Sequence, residues 1–150
     1  MKISNKKASF DYDILETFEA GVVLTGAEVK SVKEGRANLT DSFVKVIDGD
    51  LYLVNAEIPK YKYSSDEFYD SRRSRKLLVK KKELVQIDSK LKSKRLTLIP
   101  VAIYTKGKLI KVEVGFAKGR KRHEKKEREK KRDMDRELPY FLLLTATVKM

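Results

Sequence analysis

Apolar positions over the first 118 residues recur mostly with the period of two that marks strands, and segments with a helical period are few and short. Phe10, Tyr12 and Ile14 alternate with polar residues, and "EAGVVLTG" continues as an apolar run broken at Gly21 and Gly26, which predicts one long, bent strand. A short helix follows in "GAEVKSVKEG". Thr25 is its cap, Glu28 stands three residues on as in a capping box, Val29 and Val32 form a small apolar face, and Gly35 is the stop. "FVKVIDGDLYLVNAEI" is two apolar runs around a turn centred on residues 48–50, a hairpin pattern. The polar and aromatic "KYKYSSDEFYDSRRSRK" keeps no period and reads as a long exposed loop. Between Val79 and Lys94, Leu84, Ile87 and Leu91 recur at i, i+3 and i+7, predicting a helix laid on a core by one narrow stripe. "LTLIPVAIYTKGKLIKVEVGFA" is the clearest hairpin, joined at Lys106 and Gly107. Five or six strands with one or two helices predict a mainly β fold: a small, partly open antiparallel barrel of the OB type.

Composition changes the picture through charge. At 150 residues and 41% hydrophobic content the chain suits one core with a charged appendage, so residues 1–118 are expected as the barrel and 119–150 as a basic tail. The formal net charge is +13. A surface that cationic meets polyanions, and no long apolar span accompanies it to favour a membrane. There is no cysteine, which excludes disulfides and thiolate metal sites, and "MKISNKKASF" lacks the apolar stretch of a secretory signal, so a cytoplasmic location is expected.

Two basic runs carry most of the chemistry. Residues 120–137 contain ten Lys or Arg and six Asp or Glu but no apolar stripe, so they have nothing to bury against the barrel. Favourable i, i+4 pairs such as Glu124 with Arg128 contribute only about 0.2 to 0.5 kcal/mol each. Two readings stand: a solubilising tail, or a segment that is disordered when free and becomes helical where phosphates neutralise it. In the second run, "SRRSRKLLVKKK", seven of twelve residues are basic and none is acidic. Arg72, Arg73, Arg75 and Lys76 are therefore candidate phosphate contacts. Tyr61, Tyr63, Phe68 and Tyr69 lie just upstream and read either as rings for stacking on unpaired bases or as packing residues.

Catalysis fits poorly. The single histidine, His123, lies in the charged tail, and no Gly-rich phosphate loop, nucleophile motif or metal-ligand spacing occurs. Asp48 and Asp50 flank Gly49 in a hairpin tip, where turn formation accounts for them. No enzyme activity, metal or cofactor is expected.

The blocks "DYDILETFEAGVVLTGAEVKSVKEGRANLTDSF" (11–43), "SRKLLVKKKEL" (74–84) and "GFAKGRKRHEKKE" (115–127), in this order and spacing, resemble the small protein B (SmpB) family. Members of that bacterial family bind transfer-messenger RNA (tmRNA, SsrA) and serve ribosome rescue by trans-translation. The resemblance spans roughly residues 5 to 136. It implies an OB-like barrel with flanking helices that binds the tRNA-like domain of the RNA as a monomer. It also implies a tail that becomes helical in the decoding site and mRNA channel of a stalled 70S ribosome, against 16S rRNA. The runner-up is a general OB-type RNA-binding or ribosomal structural protein, and a metal-dependent nuclease is a distant third.

Carried over residue by residue, the resemblance implies RNA-binding roles for Glu19 in "FEAG", Leu78 in "RKLL" and Lys80, where the family has Asn or His. With the basic candidates, the RNA-binding set becomes Lys6, Lys7, Glu19, Arg72, Arg73, Arg75, Lys76, Leu78 and Lys80. The ribosome-binding set is Gly119, Arg120, Lys121, His123, Glu124, Lys125, Lys126, Lys130 and Lys131, with His123 a candidate for stacking on a ribosomal base. The end of the chain departs from the family pattern. Met134 stands where many members carry an aromatic residue, Pro139 would interrupt a helix that members tend to continue, and "YFLLLTATV" (140–148) is apolar without a matching motif.

Overall fold

The computed structural model describes residues 1–119. The elements run β1 (Lys2–Ser4), α1 (Lys6–Asp11), β2 (Tyr12–Val22), α2 (Gly26–Lys33), β3 (Phe43–Ile47), β4 (Asp50–Val54), β5 (Arg75–Leu78), α3 (Lys81–Lys94), β6 (Thr97–Lys106) and β7 (Leu109–Gly119). All seven strands join one antiparallel sheet in the order β1-β6-β3-β4-β5-β2-β7, and β7 also pairs with β6. The pairings thus run around a ring through β6, β3, β4, β5, β2 and β7. Its thinnest seam is β3 to β6, made by the single pair Val44 with Leu98. A mainly β, OB-like barrel with three helices results, partly open at that seam.

Alternation explains which side of each strand is buried. Ala20, Leu51, Leu53, Leu77, Ile103, Val112 and Val114 point inward and are almost wholly buried. The α3 stripe closes this core, with Ile87 buried and Leu84 and Leu91 packed beside it. α2 forms where the capping signals place it. Thr25 Oγ1 accepts from the Glu28 amide and Glu28 Oε1 accepts from the Thr25 amide. At its other end Gly35 takes φ +76, its amide donates to Val32, and that of Arg36 donates to Ser31, a Schellman ending. The β3–β4 turn is Asp48-Gly49, both with positive φ, as a two-residue type I′ hairpin requires.

Three elements differ from expectation. Phe10 and Asp11 end a helix rather than begin a strand, because Asn5 caps α1 by accepting from the Ala8 amide. Asn5 Nδ2 also donates to the Leu39 and Pro100 carbonyls, tying the cap to the barrel. β1 is too short and polar to show a period. β5 hides inside the basic run because one of its two inward positions is Arg75 rather than an apolar residue. Gly119 closes β7 opposite Tyr12, so the ladder extends one residue into the segment expected as tail. Among the described residues no helix is long and apolar enough to cross a membrane.

Candidate nucleic-acid interface

Of the residues singled out on β2 and β5, Glu19, Lys76 and Leu78 lie on the outer surface of the sheet. Gly21 lies opposite both Leu78 on β5 and Lys111 on β7, and Glu19, two residues back, shares its face and lies opposite Glu113. With no side chain at Gly21 the neighbours close over it: a β carbon there would lie 3.4 Å from Leu78 Cβ and 3.8 Å from Lys111 Nζ. Leu78 remains 52% exposed, an apolar side chain presented outward on a strand. Beside it opens a cleft of about 270 Å³ with Leu24, Val29 and Leu78 among its apolar lining and Lys108 and Lys111 at its basic rim. An apolar floor with cations at the edge suits a ribose or base followed by a phosphate.

Glu19 is held as an ionised acceptor. The Tyr104 hydroxyl donates to Oε2, and Lys106 Nζ lies 3.2 Å from Oε1. The Tyr104 hydrogen bond, with that of Lys106, outweighs partial desolvation and keeps the carboxyl below its ordinary value. Tyr104 is correspondingly pushed up to about 12, by burial first and then by Glu19. A carboxylate on a cationic surface repels phosphate, and what such an oriented acceptor offers is directional: it suits N–H or O–H donors. Tyr104, Lys106 and Lys111 belong to this surface and were not legible in the sequence. Glu19 and Tyr104 are 85 positions apart, and only barrel pairing brings them together.

The Arg72 to Lys76 cluster is not the unopposed basic patch that the local sequence suggests. Arg75 is fully buried and must be removed from the phosphate-binding set. Its guanidinium pairs with Glu28 at 2.6 Å and donates to the Ala56, Arg73 and Ser71 carbonyls and the Tyr69 hydroxyl, leaving no N–H for a phosphate. Arg73 forms a two-point pair with the same carboxylate but keeps about a third of its side chain (35%) in solvent. Burial pushes the Glu28 carboxyl up, but hydrogen bonds from Arg73, the Thr25 amide and Arg75 overcome it and hold the carboxyl below its ordinary value. Tyr69 is also structural: its hydroxyl donates to the Ile58 carbonyl at 2.6 Å. The local sequence misleads because the acids arrive from elsewhere, Glu28 from α2, Glu57 from the segment after β4, and Asp50 from β4 itself.

Arg72 and Lys76 keep roughly half their side chains in solvent while meeting Glu57 at 3.2 Å and Asp50 at 3.7 Å. Lys76 and Leu78 project from the same face of β5. Lys80 is exposed at the N-cap of α3 and is followed by exposed Lys81 and Lys82, so three cations stand at the positive end of that helix. Lys6 is exposed, whereas Lys7 is mostly buried and pairs with Asp41. Tyr61 is partly buried, and Tyr63 and Phe68 are exposed. Arg120, Lys121, His123, Glu124, Lys125, Lys126, Lys130 and Lys131 lie outside the described residues, as does the apolar run 140–148.

Comparison with known proteins adds the relatives. The SmpB protein family model matches residues 2–142, which takes in Pro139 and the beginning of the run after it. The SsrA-binding protein of Sulfurihydrogenibium sp. is 49% identical over 135 residues, covering 90% of this chain and 89% of that protein. The SsrA-binding protein of Thermosipho melanesiensis is 46% identical over 145 residues, covering 95% of this chain and 99% of its own. A chain in the solved structure described as "tmRNA-SmpB: a journey to the center of the bacterial ribosome" superimposes with a TM-score of 0.67 at 43% identity, covering 84% of this chain and 92% of that one. By the extent of these matches, the chain belongs to the SmpB protein family.

Proposed function

We propose that this protein binds tmRNA and delivers it to stalled ribosomes for trans-translation, the barrel holding the tRNA-like domain of the RNA. Its relatives are SsrA-binding proteins, and its structural counterpart is an SmpB chain described with tmRNA and the ribosome. The observation that carries the reading is the shared outer face of Glu19, Gly21, Leu78 and Lys111, where an oriented acceptor, an exposed apolar side chain and cations stand together. Lys76 and Lys80 extend that surface, and Lys6 and Arg72 are further phosphate contacts. The protein acts by binding rather than by catalysis, and with the ribosome as partner its place of action is the cytoplasm.

We assign Arg120, Lys121, His123, Glu124, Lys125, Lys126, Lys130 and Lys131 to the ribosome's decoding site and mRNA channel, where the tail gains helix on binding. Support comes from the ladder of β2 and β7. Tyr12 pairs with Gly119 at one end and Gly21 with Lys111 at the other. Eight steps along β7 at roughly 3.3 Å each separate the tail's exit from the Leu78 surface by about 26 Å of strand.

Truncation after Gly119 tests the division of labour. The barrel should stay folded and bind the tRNA-like domain with affinity reduced only by lost charge, while peptide tagging on stalled ribosomes disappears. Full tagging by the truncated chain would defeat the assignment of the tail. In the barrel, Glu19→Ala should weaken binding about tenfold, as expected on losing a charged hydrogen-bond acceptor. Removing an acid from a purely electrostatic interface would instead tighten binding, and that outcome would end the directional role of Glu19.

A further inference from the structure

The loop of residues 59–74 carries rings that neither the core nor the Glu19 surface uses. Phe68 is 92% exposed and Tyr63 74% exposed. Such exposure is not explained by a loop left loose at its base. The Ile58 amide donates to the Ser71 carbonyl at 2.9 Å, and the Tyr69 hydroxyl and the Arg75 guanidinium bind the two ends of the excursion to the barrel. Inside it, Asp66 and Asp70 side chains accept from the Phe68 and Arg72 amides as short turns. The loop is braced at its base and holds Tyr63 and Phe68 away from the body.

Cations accompany the rings. Lys62 Nζ lies 4.9 Å from the Tyr63 ring centre, Lys30 Nζ reaches 5.4 Å over Tyr61, and the two tyrosines meet edge to face at 5.4 Å. Yet the loop as a whole is only weakly basic, with Lys60, Lys62, Arg72 and Arg73 opposed by Asp66, Glu67 and Asp70. That balance fits poorly with tracking the phosphates of a duplex, which needs a field of one sign. Exposed rings edged by a few cations fit an unpaired base, stacking on the ring while the cation meets the flanking phosphate.

We propose that Tyr63 and Phe68, with Lys62 and Lys30 beside the tyrosines, form a second RNA-contact surface that stacks unpaired bases. It depends on the RNA-binding reading only for the class of partner. α2 links the two surfaces: its Val29 lines the cleft beside Leu78, while its Lys30 meets Tyr61 and its Ser31 hydroxyl donates to the Pro59 carbonyl. One RNA with a single-stranded bulge or loop near its paired arm could engage both.

The test uses the full chain and three probes: a single-stranded RNA 12-mer, a blunt duplex of the same length, and the tRNA-like domain of tmRNA. Each stacked ring contributes on the order of 1 to 3 kcal/mol by alanine substitution. Tyr63→Ala/Phe68→Ala should therefore lower affinity for the single strand by at least about tenfold while changing duplex affinity less than twofold. The chain has no tryptophan, so Phe68→Trp installs a lone reporter whose fluorescence should be quenched by the single strand and not by the duplex. Unchanged single-strand affinity in the double variant overturns the proposal. So does equal loss on both probes, or quenching by ribosomal proteins alone without RNA, which would make the rings a protein-docking patch. Should the wild type bind the single strand but not the tRNA-like domain, the primary function fails and the stacking surface stands.

Discussion

Glu28 is a buried carboxylate serving two arginines, and its removal would strand both. Arg75→Ala should cost about 3 to 5 kcal/mol, the usual penalty for breaking a buried pair, measured by urea unfolding. Arg72→Ala and Lys76→Ala, at half-exposed positions, should leave stability within about 0.5 kcal/mol. Each should instead make the slope of log affinity against log salt shallower by about 0.9 if it meets a phosphate, taking duplex RNA to behave as DNA does. Acid exposes the same network. Because the folded Glu28 carboxyl lies below its ordinary value, its contribution is complete above the unfolded pKa of about 4.3 and is lost as pH falls through the folded value. Unfolding measured from pH 7 down to pH 2.5 should show this loss in the wild type. Glu28→Gln should be less stable at neutral pH and lack that part of the acid dependence.

The β2–β7 ladder sets both the shape of the barrel and its intolerance to change. Gly115 lies within it, where an added methyl would meet Ile14 Cγ2 at 2.8 Å and Val101 Cγ2 at 3.1 Å. Gly115→Ala should thus cost about 1 to 3 kcal/mol by overpacking, whereas Gly21→Ala meets only ordinary contacts and should fold normally. Thermal unfolding of the two variants checks the contrast. Elements whose signals are local were legible in the sequence: the Asp48-Gly49 hairpin, the second hairpin with its turn at Gly107-Lys108, one residue later than expected, the Thr25 and Glu28 box, and the stripe of α3. Elements that depend on distant partners were not. β5 pairs on both sides but buries an arginine, and α1 rests on an asparagine bonded to residues on β6 and beyond α2. The interface divides the same way. Resemblance pointed to Glu19 and Leu78 as candidates, while Tyr104 and Lys106 join Glu19 only through the pairing of β6 with β7 and of β7 with β2.

At the scale of the whole molecule, the N-terminus lies close to the proposed RNA surface. Met1 exchanges hydrogen bonds with Thr105, and Lys2 pairs with Tyr104, the residue that holds Glu19. The other end continues from β7 into the segment assigned to the ribosome. An affinity tag at the N-terminus would therefore emerge beside the carboxylate proposed to orient the RNA, and one at the C-terminus would extend the segment proposed for the mRNA channel. A label is better carried inside the chain. With no native cysteine, Ser89→Cys on the exposed side of α3 would supply a single thiol for a fluorophore, leaving both termini free while RNA and ribosome bind.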